Sequence, residues 1–174
     1  WSLVTQYRVR LAREAYNLVE AERLQHVWVE RERRNAASLL ARSAESLSIG
    51  EKYTLRTLSA SLHELGEIQR EMGQPDCVKN YQETFGIAQR IDDNAVAASA
   101  AFNLGRAYTD LPALRNLDEA ERWYNRDLEL ESPNDHKGRA ETLIQIGNVA
   151  YERFKDAKKE GKEEAKKESK EEVT

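Results

Sequence analysis

A six-residue segment occurs twice in this chain, and that repeat restricts the possible folds more than any other feature of the sequence. Residues 18–23 read Leu-Val-Glu-Ala-Glu-Arg and residues 117–122 read Leu-Asp-Glu-Ala-Glu-Arg, so five of the six positions are identical. A weaker copy begins at Pro75, with Cys77 in the place of the alanine. Self-similarity at a spacing of tens of residues is typical of proteins built from stacked structural repeats.

A second signature, an apolar residue followed by glycine, alternates with the first. It occurs at Leu65-Gly66, Leu104-Gly105 and Ile146-Gly147, with glycines 39 and 42 residues apart. Because glycine inside a helix costs about 1 kcal/mol relative to alanine, we expect a neighbouring helix to approach closely at each one. The alternation of the two signatures predicts helix-turn-helix units. In each unit the second helix carries a small residue and, four positions later, a large residue. The residues expected to fill the space between successive helix pairs are Tyr81, Phe85, Tyr108, Trp123, Tyr124 and Leu128.

These motifs resemble the tetratricopeptide repeat, whose pattern sets Leu-Gly-x-x-Tyr on a helix A and Ala-x-x-x-Tyr on a helix B. Leu104-Gly105-Arg-Ala-Tyr108 followed by Ala120-x-x-x-Tyr124 is the best match, whereas the unit around Gly66 has Gln69 in place of the aromatic residue. In the degenerate first unit Val9 replaces the glycine, and Ala21, Trp28 and Val29 keep the helix B pattern. The resemblance covers roughly residues 3–155, with units longer than the usual 34 residues.

The resemblance implies an all-α fold, an α-α superhelix (solenoid) of stacked antiparallel helix pairs with seven to eight helices. The expected units are 2–43, 52–90, 95–130 and 135–172. Turn signals and periodicity place the helices at about 2–16, 18–43, 52–72, 75–90, from 95 to before Pro112, 117–130 and 135–155. In this map Gly73-Gln-Pro75 and Ser132-Pro133 are breaks, and Asp92-Asp93-Asn94 is an N-capping cluster.

Residues 156–174 have a different composition from the repeats before them. They are dominated by lysine and glutamate, and Ala157, Ala165 and Val173 are their apolar residues. We therefore expect a charged, poorly packed final helix, supported by pairs such as Glu163 with Lys167 and weakened by Gly161. Its position suggests a degenerate second helix of the fourth unit, acting as a polar cap on the repeat domain of residues 1–155.

Charge and hydropathy exclude two classes of partner. The net charge is −4 with a sequence pI of about 5.6, and the two signs are interspersed, which argues against nucleic acid. No apolar run approaches the roughly 20 residues that span a membrane, and the arginine-rich first segment does not resemble a signal peptide.

The single cysteine, Cys77, fits a reducing compartment, so a cytoplasmic location is expected. A chain that starts at Trp1 suggests a piece of a longer polypeptide.

Candidate catalytic and metal-binding groups are few. The three histidines, His26, His63 and His136, are not spaced as a metal motif, and no glycine-rich loop precedes a Lys-Ser/Thr pair. The repeat register assigns Cys77 to a buried small position rather than to a reactive thiol. We therefore expect a protein that is not an enzyme and that binds no metal or cofactor. The alternative, that the chain is a fragment of an enzyme, stays open.

The concave groove lined by the A helices is the expected binding surface. Counting from the glycine position, the resemblance assigns Gln6, Ser99 and Glu141 to it, together with nine candidate contact residues. An apolar anchor at Phe102 beside Ile144, surrounded by guanidiniums, would suit a peptide or helix with an apolar side chain and nearby acids. The nine candidate residues are Arg10, Arg13, His63, Glu67, Arg70, Phe102, Arg106, Ile144 and Asn148.

One specialised use of such grooves is disfavoured. Some tetratricopeptide co-chaperones clamp a terminal dicarboxylate with Lys and Asn side chains, but here the first two clamp positions hold His63 and Glu67, and only Asn103 matches.

The expected function is a module that binds a protein or peptide partner, as a sensor or adaptor segment of the kind found in signalling adaptors and bacterial STAND ATPases. The alternative is a structural spacer or a self-association domain, so the chain is expected to be a monomer or a weak homo-oligomer.

Overall fold

The computed structural model of the chain describes residues 2–171, with the side chains of residues 3–162. All regular secondary structure in this part of the chain is helical, which confirms the all-α prediction. A single short 3-10 helix, Ala44–Ser46, lies between the second and third α-helices. The seven α-helices are α1 (Ser2–Glu14), α2 (Leu18–Leu40), α3 (Ile49–Glu71), α4 (Cys77–Arg90), α5 (Asn94–Asp110), α6 (Leu117–Leu130) and α7 (His136–Glu171).

Local capping chemistry determines where the helices begin. Ser48 and Glu51 form a reciprocal capping box, so α3 starts at Ile49, three residues earlier than expected, and Gly50 lies inside its first turn. The Asp93 side chain accepts a hydrogen bond from the Val96 N–H at 3.2 Å, as the predicted capping cluster requires. Left-handed residues follow the ends of three helices, at Tyr16 after α1, at Gly73 after α3 and at Asp92 after α4.

Consecutive helices pack against each other, and contacts between alternate helices sort them into two layers. Arg33 of α2 pairs with Glu83 of α4 at 2.5 Å, and the rings of Phe85 in α4 and Trp123 in α6 meet edge to face, with centroids 5.2 Å apart. In the other layer Arg13 of α1 pairs with Glu64 of α3, and α3 contacts α5 directly. Helices α1, α3 and α5 therefore form one layer and α2, α4 and α6 the other. Helix α7 packs against α6 and borders a cleft that it shares with α5.

The core lies between the two layers. Leucines at helical spacing along α3, from Leu55 to Leu65, are 0–2 % exposed and pack against apolar residues of α2 and α4. Val9 of α1, which replaces the repeat glycine, is buried with Ala21, Leu24 and Ile68. The core thus consists of successive clusters along the chain of helices instead of being gathered at one centre.

Two of the three repeat glycines lie at close helix crossings. A Cβ atom placed on Gly66 would lie 2.7 Å from the ring of Tyr81, and one on Gly105 would lie 2.6 Å from the ring of Tyr124. Both tyrosines are fully buried. The expectation of a close approach is confirmed at these two positions. It is wrong at Gly147, where such a Cβ would meet nothing within 4 Å.

The last helix differs from the sequence-based map. The map expects a helix over about 135–155 and a separate charged final helix after it, but α7 continues from His136 to Glu171. No proline occurs after residue 133, and Gly161 alone does not end the helix. Residues 157–162 are exposed, as expected for the charged tail. The predicted Glu163–Lys167 pair lies outside the side chains that the structure describes. None of the described helices is long and apolar enough to cross a membrane.

Candidate functional site

The outer surface of α1, α3, α5 and α7, here called the odd-helix face, carries the residues predicted to form the groove. It has three zones: a first cleft between α1 and α3, a polar network between α3 and α5, and a second cleft between α5 and α7. Helices α2 and α6 provide the floors of the two clefts.

The first cleft has a volume of about 510 Å³. Gln6 and Arg10 line its α1 side, as the groove prediction requires, and Trp28 of α2 contributes to its floor. On the α3 side Tyr53 is 70 % exposed, which leaves an aromatic surface open to a ligand. This cleft combines apolar and aromatic surface with a polar rim, the usual make-up of a peptide-binding site.

The two arginines predicted on α1 are already paired within the chain. Arg10 donates to Glu14 at 2.9 Å, and Arg13 bridges to α3 by donating to Glu64 at 2.5 Å and to Glu71. These contacts hold α1 against α3. The positive charge expected for an acidic partner is therefore largely compensated at this end of the face.

His63 lies in the polar network between α3 and α5. One nitrogen of its ring, Nε2, lies 2.9 Å from the Asn103 amide nitrogen and 3.3 Å from the Ser99 hydroxyl oxygen. Burial lowers the pKa of the imidazole, so His63 is neutral at pH 7 and accepts the amide N–H of Asn103. Asn103, the one residue that matched a dicarboxylate clamp, is thus bonded to His63.

Glu67 and Arg70 form the centre of the same network. The Tyr81 hydroxyl donates to Glu67 at 2.7 Å, and the Arg70 guanidinium lies 3.4 Å from Glu67 and 3.9 Å from Asp110. Arg106 also pairs with Asp110, at 3.6 Å. Burial acts to raise the pKa of Glu67, but the Tyr81 hydrogen bond and the Arg70 charge outweigh it and keep the carboxylate ionised. Both predicted guanidiniums are therefore matched by carboxylates of the chain.

The predicted apolar anchor is not assembled as expected. Phe102 packs edge to face on Tyr124, with ring centroids 5.7 Å apart, in a cluster that includes Ile146 of α7. Ile144 is 61 % exposed, and Asn148 is exposed and donates to Gln145 at 3.3 Å. The reason is the rotation of α7, which turns Ile146 toward α6 and leaves Ile144 toward solvent.

The second cleft is acidic and has a volume of about 490 Å³. Ser99, Phe102 and Glu141 line it, as the groove prediction requires, and its residues include no lysine or arginine. Burial raises the pKa of Asp127 to about 6, and it also raises the pKa of Glu131. The remaining cleft carboxylates are those of Asp135 and Glu141. This cleft favours a ligand with a basic side chain. The arginines among the predicted groove residues suggested a ligand with acidic side chains instead.

Several residues of the two clefts were missed by sequence reasoning. Tyr53 and Arg56 lie in the first half of α3, before the repeat glycine from which groove positions were counted, and Glu131 lies in the loop after α6. Tyr53 offered a signal, since an aromatic residue on the polar side of a helical pattern is unusual in a chain with 7 % aromatic residues. The half-buried position of Glu131 depends on the path of the loop and had no signal in the sequence.

Cys77 is fully buried at the start of α4, as predicted for a packing residue. Burial raises the pKa of its thiol to about 11, so the reactive thiolate is scarce at neutral pH. Among the described residues, no group of three or more His, Cys, Asp or Glu side chains is arranged to hold a metal ion.

In comparisons with known proteins, no family model, no curated protein and no solved structure matches this chain. The odd-helix face therefore has to be interpreted from its own geometry.

Proposed function

We propose that this chain is a tetratricopeptide-like repeat module whose odd-helix face binds a segment of a protein partner. The observation that carries the proposal is the pair of clefts, each of about 500 Å³, on the odd-helix face. Alternating layers, with tyrosine rings packed on Gly66 and Gly105, support the superhelical arrangement that the repeat pattern implies. An adaptor or sensor role within a signalling protein follows from the resemblance in sequence.

The chemistry of the clefts defines the partner segment. Tyr53 and Trp28 in the first cleft favour an apolar side chain, and the carboxylates of the second cleft favour a lysine or arginine. Between them, the internally paired Arg70 and Arg106 offer hydrogen-bond donors without excess positive charge. The proposed ligand is thus an extended or helical peptide with an apolar residue and a basic residue at a fixed spacing.

Selection from a random peptide library on the immobilised chain tests this proposal. We expect the selected peptides to share an apolar residue and a basic residue, and to bind at least about tenfold more weakly to Tyr53→Ala and to Glu141→Lys. Glu141 suits this test because it is exposed and pairs only with Lys137 in the described structure. Glu129→Lys, the same charge reversal on α6 in the other layer, is the matched control and should bind normally.

The spacer function is the second candidate, and the internal pairing of Arg10, Arg13, Arg70 and Arg106 favours it. A face whose charges are already satisfied has less to gain from a ligand. If selection returns no shared motif, or if the two cleft variants bind the selected peptides as well as the control does, the binding proposal is wrong and the spacer function stands.

A further inference from the structure

Helix α7 carries a continuous apolar stripe on the side turned away from α6. Its contacts with α6 come from the opposite side, where Thr142 donates to Asp127 and Val149 is buried. On the open side Leu143, Ile144, Tyr151 and Phe154 are 56–61 % exposed. Their spacing of three and four residues, with Ala140, Gly147 and Ala150 between them, places them on one face of the helix.

Counted from the repeat glycine, the residues of the stripe occupy the same positions as residues of α3 and α5 that another helix covers. Four residues before the glycine, α3 has Leu62 and α5 has Ala101, both fully buried, whereas α7 has the exposed Leu143. The glycine itself receives a tyrosine ring from the following helix in α3 and α5, and Gly147 receives none. Among the described residues, no helix covers this face of α7 in the way that α4 and α6 cover the other two glycines.

The helices that fill the two covered crossings share a simple pattern. Each has a small residue followed four positions later by the inserted tyrosine: Cys77 and Tyr81 in α4, Ala120 and Tyr124 in α6. Helix α7 has this pattern too, because Tyr151 follows Gly147 by four residues on the exposed stripe. A single face of α7 therefore offers both halves of the contact, the glycine that receives a ring and the tyrosine that supplies one.

We propose that two copies of this chain associate through antiparallel pairing of their α7 helices. A twofold axis at the level of Val149 places Tyr151 of each copy over Gly147 of the other, since 149 is midway between the two positions. The same axis places Phe154 of each copy opposite Ile144 of the other, because these positions have the same midpoint. Both contacts thus form twice in one isologous interface.

The size of the stripe is adequate for a weak to moderate dimer. Four large side chains that are more than half exposed present on the order of 450 Å² of apolar surface per chain. Two copies would bury about 900 Å² in total, which is in the range of weak, reversible interfaces. Lys158 lies nine residues from the axis, so the two copies of this charge are about 27 Å apart and screened at physiological salt.

Light scattering after size exclusion, with the whole chain over a concentration series, measures the association. We expect the wild type to be dimeric at about 100 µM, and Ile144→Glu and Phe154→Lys each to raise the dimer dissociation constant at least about tenfold. Val19→Lys, at a position 69 % exposed on α2, is the control and should dimerise normally. Circular dichroism verifies that each variant remains helical.

Mixing the two variants tests the register of the pairing. A heterodimer of Ile144→Glu with Phe154→Lys has one native Ile–Phe contact and one Glu–Lys pair, so the equimolar mixture should dimerise where neither variant does alone. A mixture that stays monomeric would overturn the antiparallel register, and variants that still dimerise would move the interface elsewhere. A wild-type monomer at about 0.3 mM would overturn the proposal and leave the stripe to a helix of another protein.

Discussion

The crossings of α3 with α4 and of α5 with α6 differ from α7 in the presence of a helix over the repeat glycine. Gly66 and Gly105 lie under buried tyrosine rings, whereas Gly147, in the same sequence context, faces open space. The comparison teaches that a repeat glycine specifies only half of a helix crossing. The other half depends on an aromatic residue in the next helix, such as Tyr81 or Tyr124.

The two regions also differ in what holds them together. The inner crossings are apolar, with Tyr81, Leu104 and Ala107 among the buried residues of one cluster. The α6–α7 contact depends more on polar groups, including Thr142 with Asp127 and Arg153 with Glu121 at 2.5 Å. Because exposed ion pairs contribute little to stability, we expect α7 to be the less firmly attached part of the fold.

Removing a tyrosine should separate the two regions most clearly. Tyr124→Ala leaves a cavity over Gly105 and should reduce the free energy of unfolding by about 4 kcal/mol. Tyr151→Ala removes the same side chain from a position 61 % exposed and should change it by less than about 0.5 kcal/mol in dilute solution. Urea unfolding followed by circular dichroism measures both. Equal losses in the two variants would contradict the contrast between covered and open crossings.

Filling the glycine positions should have a smaller effect of opposite sign in the two regions. Gly105→Val forces methyl groups into the Tyr124 ring and should cost about 3 kcal/mol. Gly147→Val meets no neighbour and should stabilise α7 by a few tenths of a kcal/mol, because valine has the higher helix propensity. The melting temperatures of the two variants check this prediction. An unchanged melting temperature for Gly105→Val would show that the repeat register is wrong.

The sequence predicted the inner helices and their crossings well because their signals are local or periodic. Capping by Asp93 and the breaks at Gly73 and Pro133 are properties of a few neighbouring residues, and the Gly105–Tyr124 contact follows from the repeat pattern. The groove chemistry was predicted less well. Arg13 pairs with Glu64 across 51 positions, and no rule of spacing identifies such a partner.

The acidity of the second cleft provides a test of the α6–α7 contact. Burial raises the pKa of Asp127 to about 6, above its value in the unfolded chain, so the folded state binds the extra proton between about pH 4 and pH 6. The stability associated with this group is fully present below about pH 4 and is lost as the pH rises through 6. Asp127→Asn, which keeps an acceptor for Thr142, should therefore stabilise the protein at pH 7 by about 1–2 kcal/mol and by much less at pH 4.

Urea unfolding of Asp127→Asn and of the wild type at pH 4, 5, 6 and 7 measures the difference between them. Glu129→Gln on the exposed side of α6 is the control and should give the same curve as the wild type. If the difference between Asp127→Asn and wild type does not grow between pH 4 and pH 7, burial of Asp127 does not weaken this contact.

Truncation of the charged end of α7 should have the smallest effect of all. Asp156 accepts a hydrogen bond at 2.8 Å from Arg115 in the loop before α6, and the residues that follow it, 157–162, are exposed. Deleting residues 160–174 should thus change the free energy of unfolding by less than about 0.5 kcal/mol. The deletion also leaves Leu143, Tyr151 and Phe154 in place, so it should preserve the proposed dimer. A loss of cooperative unfolding in the truncated chain would mean that the final residues contribute to the fold. The packed part of α7 would then extend beyond Asp156.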